Sequence, residues 1–393
     1  MSMGRMLWTL VLILGVACGS EGGPSGKRDV DGTGGSGGGG SGGDDPGGKF
    51  LALPGYEERP ISVPLRGQVE VEIRLHRERA GNAGEIHLTL EGNLPEGVLF
   101  GGRELRIEEG EDSAFLSFGA GNDVKALDEP VRLTLRATGE NLEEELSFEL
   151  QVSAMVTTLE DTGSGSLRDV VESASKISEN PTITFAPWIF TAEDAPHVIE
   201  LESPIVVESS LTIAGPESED EPLVILDGKG ITRILQLGTE ESILEGRVEK
   251  VKVFHLGFTD GYTDPMEPGG ACILSLFELE VDSSHFRGCI AADEEHRSSA
   301  GGAILAFQSK LEIKKSRFFQ NEASSAGAVA VAAAPLVVSE SVFEKNVARQ
   351  NFGGAIGVSR AKLEVRDGSK FIENRARAGG AIEIGSSSRG EII

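Results

Sequence analysis

The sequence predicts an all-β chain in which a parallel β-helix fills the C-terminal half and a small β-sandwich precedes it. Three observations carry this. A pair of short motifs recurs after Phe254, with copies starting 25 to 32 residues apart, the period of a solenoid. From residue 50 to 156 apolar and polar residues alternate over short runs bounded by Gly, Pro, Asn and Asp, the pattern of half-buried antiparallel strands. The repeat region shows short strand-like runs and no helical periodicity.

The chain opens with Arg5 and an apolar stretch from Met6 to Ala17, too short for a good membrane span. Cys18 follows, before Gly19 and Ser20. The sequence GVA-C resembles a bacterial lipobox, although Gly15 stands where leucine is usual. The resemblance implies a signal region over residues 1–18, cleaved just ahead of Cys18, and acylation of Cys18 as the new N-terminus; the alternative is plain secretion. Residues 19–48 are rich in Gly and Ser and read as a flexible tether. The net charge is −27, which disfavours nucleic acid as a partner. Aromatic residues make up only 5%, and because sugar-binding grooves usually need aromatic platforms this lowers the expectation of a carbohydrate role.

Residues 50–156 carry six or seven predicted strands. In one of them Val69, Val71, Ile73 and Leu75 share a face, and in another Ile86, Leu88 and Leu90 do. The region has no cysteine pair or core tryptophan. With LEGNLPEGVLF at Leu90 to Phe100, it resembles the cysteine-free Ig-like modules of bacterial exported proteins. His76 and His87 read as ordinary strand histidines.

Residues 157–393 read as the β-helix. A small-residue turn leads into a strand at GGACI (Gly269–Ile273), GGAIL (Gly301–Leu305), AGAVA (Ala326–Ala330), GGAIG (Gly353–Gly357) and GGAIE (Gly379–Glu383). Between them recur FFQN, FEKN and FIEN, with Phe258 and Phe286 in less regular copies. Phe318, Phe343 and Phe371 are expected to stack in a column, and Asn321, Asn346 and Asn374 to form a ladder at a bend. Gly301, Gly302, Gly353, Gly354, Gly379 and Gly380 are expected to provide torsions or close approaches closed to other residues. Earlier coils are read at TITF, HVIEL, PIVVESSLTI and PLVILDGKG, giving about seven coils. Leu311, Ile313, Leu363 and Val365 should face inward.

The GGA[ILV]/FxxN pair resembles the repeats of polymorphic outer-membrane proteins and of a wider set of bacterial right-handed, single-stranded β-helix proteins. In the former family the repeats form an adhesin passenger ahead of a membrane barrel. Here the last GGAI lies close to Ile393, and the lipid at Cys18 is the expected attachment instead. DTGSGSLRDVVESASK, Asp161 to Lys176, is similar to the GSLR element that begins many such helices. It predicts an amphipathic capping helix near 166–176, with Ser166 and Asp169 forming a capping box and Leu167, Val170, Val171 and Ala174 on the apolar face. At the far end, Ser386 to Arg389 is expected to turn the chain and Glu391 to Ile393 to add a strand; otherwise that end is open to another molecule.

Because pectate lyases and polygalacturonases share this fold class, two long turns were weighed for catalysis or calcium. One contains Asp260, Asp264 and Glu267, with His255 on the strand before it. The other contains Asp293, Glu294, Glu295 and His296, with Arg287 nearby. The reading favours solvated acidic turns: no catalytic residue, no cofactor, and calcium only as a weak alternative. Cys272 and Cys289 are either a disulfide or two buried thiols. The expected function is a non-catalytic surface or envelope lipoprotein, on the outer membrane or else secreted. It would present a β-helix for adhesion to a protein or glycan partner. The alternatives are a polysaccharide-active enzyme and a self-assembling structural protein.

Overall fold

The computed structural model describes residues 51–393 apart from 55, 57–59, 66, 77–83, 102–104, 122–123, 125–129, 141, 175–179, 264–266 and 292–298. Cys18, the tether, Asp264, Asp293, Glu294, Glu295 and His296 lie outside the described residues.

The N-terminal part holds β1 (Leu51–Ala52), β2 (Ile61–Pro64), β3 (Gln68–Leu75), β4 (Ile86–Glu91), β5 (Val98–Gly101), β6 (Leu105–Ile107), β7 (Ser113–Ala120), β8 (Val131–Gly139) and β9 (Leu142–Val156). One antiparallel sheet runs β1-β3-β7-β5 and the facing sheet runs β6-β4-β8-β9, with β2 parallel to β9. Alternation does what the sequence requires of it. Val69, Val71, Ile73 and Leu75 are buried while Gln68, Glu70 and Arg74 are not. Between the sheets, Phe118 meets Phe148 edge-on at 6.1 Å.

Residues 182–392 form a right-handed parallel β-solenoid. Its first face stacks Thr182–Phe185, Leu211–Ala214, Lys250–Phe254, Glu278–Asp282, Leu311–Lys314, Leu336–Ser339, Lys362–Arg366 and Arg389–Ile392. The second stacks His197–Glu200, Val224–Asp227, Leu256–Thr259, His285–Arg287, Arg317–Phe319, Val342–Glu344 and Lys370–Ile372. The third stacks Ile205–Val207, Leu235–Leu237, Ile273–Ser275, Ile304–Phe307, Val329–Ala332, Ile356–Ser359 and Ile382–Ile384. Seven coils are complete and Arg389–Ile392 begins an eighth.

Each corner has its own device. Between faces one and two, His255, Ser283, Lys315, Glu340 and Asp367 take left-handed torsions, with φ between 47° and 56°. His255 was expected on a strand. It sits at this corner instead, because the chain must turn between Phe254 and Leu256 for both to stay in their sheets. Such torsions cost about 1–2 kcal/mol per residue outside glycine, and adjacent hydrogen bonds offset them. Just inside the corner, Ser284, Ser316, Ser341 and Ser369 form a ladder. Ser316 Oγ accepts from the Ser284 amide at 3.2 Å and Ser341 Oγ from the Ser316 amide at 3.1 Å. Each hydroxyl in turn donates to a carbonyl of its own corner, as Ser316 does to Lys314 at 2.7 Å.

Between faces two and three the left-handed residues are Asp260, Gln320, Lys345 and Glu373, with Gly288 in the same row. The asparagine ladder follows: Asn346 Oδ1 accepts from the Asn321 amide at 3.0 Å and from Asn321 Nδ2 at 2.9 Å. Asn374 does the same for Asn346. Inside, Phe258, Phe286, Phe318, Phe343 and Phe371 stack with ring centroids 4.6–5.0 Å apart, the rise of one coil. At the GGA turns, Gly301, Gly353 and Gly379 have φ of 61° to 71°. A Cβ on Gly302 would lie 2.2 Å from the Gly327 carbonyl oxygen, and one on Gly354 would lie 2.1 Å from that of Gly380.

From coil three to coil six the third face is buried on both sides. Leu274, Leu305, Phe307, Ala330 and Ala332 form a second apolar cluster with the turn residues Ala300 and Ala326, and Ile243 packs against it.

The solenoid's first edge is closed by two elements. Helix α1 (Leu167–Ala174) buries Leu167, Val170, Val171 and Ala174. Its start differs from a capping box: Ser166 Oγ accepts from the Asp169 amide, but Asp169 Oδ2 accepts from the amide of Gly165 instead of Ser166. The sequence reading gave the whole cap to this helix. In the structure, β9 leaves the sandwich to pair Ala154, Met155 and Val156 with Ile183, Thr184 and Phe185, so one sheet runs through both parts.

Candidate functional site: a groove on the second face

Among the described residues, no three His, Cys, Asp or Glu side chains are placed to share a metal ion. Asp260 takes a left-handed corner, and its carboxylate lies against Gly288, where a Cβ would come within 2.7 Å of Oδ1. Glu267 pairs with Arg233 at 3.3 Å. Arg233 was not anticipated. It is buried, and it donates from Nε to the Gly270 carbonyl at 3.0 Å and from Nη2 to that of Pro268 at 2.9 Å. Burial lowers its pKa and Glu267 opposes that. The long turn is thus pinned from below by a cation satisfied mainly by backbone carbonyls.

Cys272, just ahead of the third-face strand of coil three, and Cys289, just after the second-face strand of coil four, are joined in a disulfide with Cα atoms 5.7 Å apart. Cys289 occupies the asparagine row: its amide donates to Asn321 Oδ1 at 3.1 Å. One coil earlier the row holds Gly261, where a Cβ would sit 2.7 Å from Cys272 Sγ. The ladder therefore ends in a covalent tie between neighbouring coils.

Beside Arg287 the second face carries a groove of about 380 Å³. Ala195, Pro196, Pro222 and Leu223 wall it, Ile225 and Gly257 line its bottom, and Thr259, His285, Arg287 and Glu221 add polar groups. The floor is low because coil three has glycine at the outward position between Ile225 and His285, which are its register partners on either side. Glu221 comes from the acidic loop 216–222. It places Oε2 2.9 Å from His285 Nδ1 and Oε1 3.4 Å from Arg317 Nη1. Burial pushes the His285 pKa down, Glu221 raises it and Arg317 lowers it; burial prevails and favours the neutral imidazole. Further along, the guanidinium of Arg287 lies 5.7 Å and the ammonium of Lys345 5.4 Å from the Phe319 ring centroid. Arg287, read from the sequence as a lone basic residue, shares the Phe319 ring with Lys345, and Arg317 is the register partner of His285.

The arrangement can accept an anionic or hydrogen-bonding group at the rim while an apolar portion rests on Ile225 and Gly257. No protein-family model matches the chain, and no curated protein matches it.

Proposed function

We propose that the protein is a non-catalytic envelope scaffold, tethered through an acylated Cys18, whose second face engages an extended partner along successive coils. The solenoid fold is compatible with adhesive, structural and enzymatic roles. The observation that favours binding is the groove itself. Its floor depends on a glycine at an outward strand position, and beyond its rim the Phe319 ring of coil five lies near Arg287 of coil four and Lys345 of coil six. Polar and aromatic side chains presented on successive coils, ~4.8 Å apart, suit a partner that is itself extended, as a glycan chain or a peptide strand is.

Anchoring is tested by intact mass of the protein extracted from its native membrane. A diacylglyceryl and acyl addition on Cys18 is expected; an N-terminus beyond Cys18 without lipid would make it a freely secreted protein. Binding is tested by comparing labelled protein on cells of its own source with Gly257→Val, which fills the floor, and with Arg287→Glu plus Arg317→Glu, which inverts the rim. Loss of binding in both is expected, and unchanged binding in both rejects the face.

A second reading, a polysaccharide-active enzyme, is favoured by one observation: a histidine and a carboxylate paired at 2.9 Å with an arginine in the same groove. Depolymerisation of an acidic polysaccharide that disappears in His285→Ala would establish it. No release of shorter chains from any acidic polysaccharide would remove it.

A further inference from the structure

A second recess lies on the first face, where the sandwich sheet runs on into the solenoid. Its floor is a set of outward positions in register: Met155 of β9 pairs with Thr184, and Thr184 stands beside Ala214 of the second coil. Ser62 of β2 adjoins them. The next coil carries the bulky Phe254 in the rung of Ala214. One wall is the turn after the first strand, with Trp188; Tyr56 and Pro60 line the other side. The recess measures about 340 Å³, within the usual range for small-ligand sites of about 300–1,000 Å³.

Three features set it apart. The chain has only two tryptophans and two tyrosines, and one of each lines this recess. Trp188 is 44% exposed, although burying an indole would stabilise the fold far more than leaving it in water. Finally, among the described residues none of the lining side chains is charged, on a chain in which 25% of residues are charged and the net charge is −27. The polar groups that remain are hydroxyls. Ser62 Oγ accepts from Gln151 Nε2 at 2.7 Å, which turns its own hydrogen away from Gln151, and Thr184 stands on the neighbouring strand.

We propose that this recess binds a neutral saccharide, one or two pyranose rings resting on Trp188 and Tyr56 with their hydroxyls turned to Ser62 and Thr184. Flat ring faces accept the C–H side of a sugar, hydroxyls exchange hydrogen bonds with its edge, and none of the described lining side chains imposes the desolvation of an unpaired ion. A proline-rich peptide would also lie against the aromatic walls, but its ring-blocked amides leave fewer donors for the floor. The site is independent of the second-face groove and stands or falls without it.

The test uses the whole chain carrying Trp8→Phe, so that Trp188 is the only indole and reports its own occupancy. Emission is followed while cello-oligosaccharide, malto-oligosaccharide and N-acetylglucosamine oligomers are added in turn. At least one should give a saturable intensity change or blue shift. Ala214→Leu, which fills the floor, and Tyr56→Ala, which removes a wall, should each weaken it by roughly tenfold or more. Far-ultraviolet circular dichroism of both variants checks that they fold. No emission change with any neutral saccharide, an equal change in both variants, or a change with a proline-rich peptide alone would overturn the proposal.

Discussion

Replacing Asn346 with alanine removes four interior hydrogen bonds at once. Its Oδ1 accepts from the amide and the Nδ2 of Asn321, and its Nδ2 donates to the Phe318 carbonyl at 3.0 Å and to Asn374 Oδ1 at 2.9 Å. Asn346 and Asn321 are both fully buried, so water does not replace the lost partners. Asn321 Nδ2 keeps its bond to the Phe286 carbonyl and Asn374 Oδ1 keeps the Asn346 amide. The group left without its acceptor is the Asn321 amide, and the Phe318 carbonyl loses a donor. At about 1–3 kcal/mol for each buried unsatisfied group, the substitution should cost about 2–4 kcal/mol. Asn374→Ala provides the gradient. That residue is only half-buried, so truncating it lets solvent in to the Asn346 and Phe343 groups it bonds, and the cost should be about 1 kcal/mol. Asn346→Asp keeps the acceptor but points a carboxylate at the Phe318 and Asn374 oxygens, and should be at least as damaging as alanine. Urea unfolding followed by circular dichroism measures all three. A loss under about 1 kcal/mol for Asn346→Ala, or a larger loss for Asn374→Ala, would refute the ladder as a source of stability.

Further expectations follow from other rows of the solenoid. Gly302→Ala places a methyl against the backbone of Gly327 and Glu322 and should cost several times the roughly 1 kcal/mol expected of Gly230→Ala, which meets no atom but strains a φ of 68°; thermal melts compare the two. Replacing Cys272 and Cys289 together with alanine releases a 17-residue separation and should cost about 2–4 kcal/mol, read as a lowered urea midpoint; an unchanged midpoint would show that the tie adds nothing. His285 has a pKa held below the ordinary 6.5 by burial, so near that pH the unfolded chain takes up a proton that the folded chain resists. Stability should therefore be highest above pH 6.5 and fall as the pH drops through and below it. His285→Asn should flatten that part of the pH profile, and an unaltered slope would assign the effect to other groups.

The repeat itself was the legible part of this chain. The Phe column and Asn ladder could be placed because the same residue types return at each copy, and a coil offers only one interior position for each. The serine ladder was equally present, two residues ahead of each Phe from Ser284 onward, but a serine near a turn carries little signal on its own. The outer cover of face three was hidden for a different reason. The run VAVAAA at Val329 to Ala334 does not alternate, and only the folded-back turns, with Ala300 and Ala326, show why both sides are apolar. Neither groove could be read from the sequence. One depends on Gly257 lying between Ile225 and His285 of neighbouring coils, and the other on β9 carrying the sandwich sheet into the solenoid. Both bring together residues tens of positions apart through coil register, which no local pattern reports.

Every site described here rests on that register, and it can be measured directly. In a Cys18→Ser background, nitroxide labels are placed at cysteines replacing Glu312 and Val337, which are outward partners one rung apart, or Glu312 and Glu364, two rungs apart. With rungs ~4.8 Å apart, the first pair should show strong spin–spin broadening and the second clearly less. Equal broadening in the two pairs, or none in the first, would contradict the stacked solenoid.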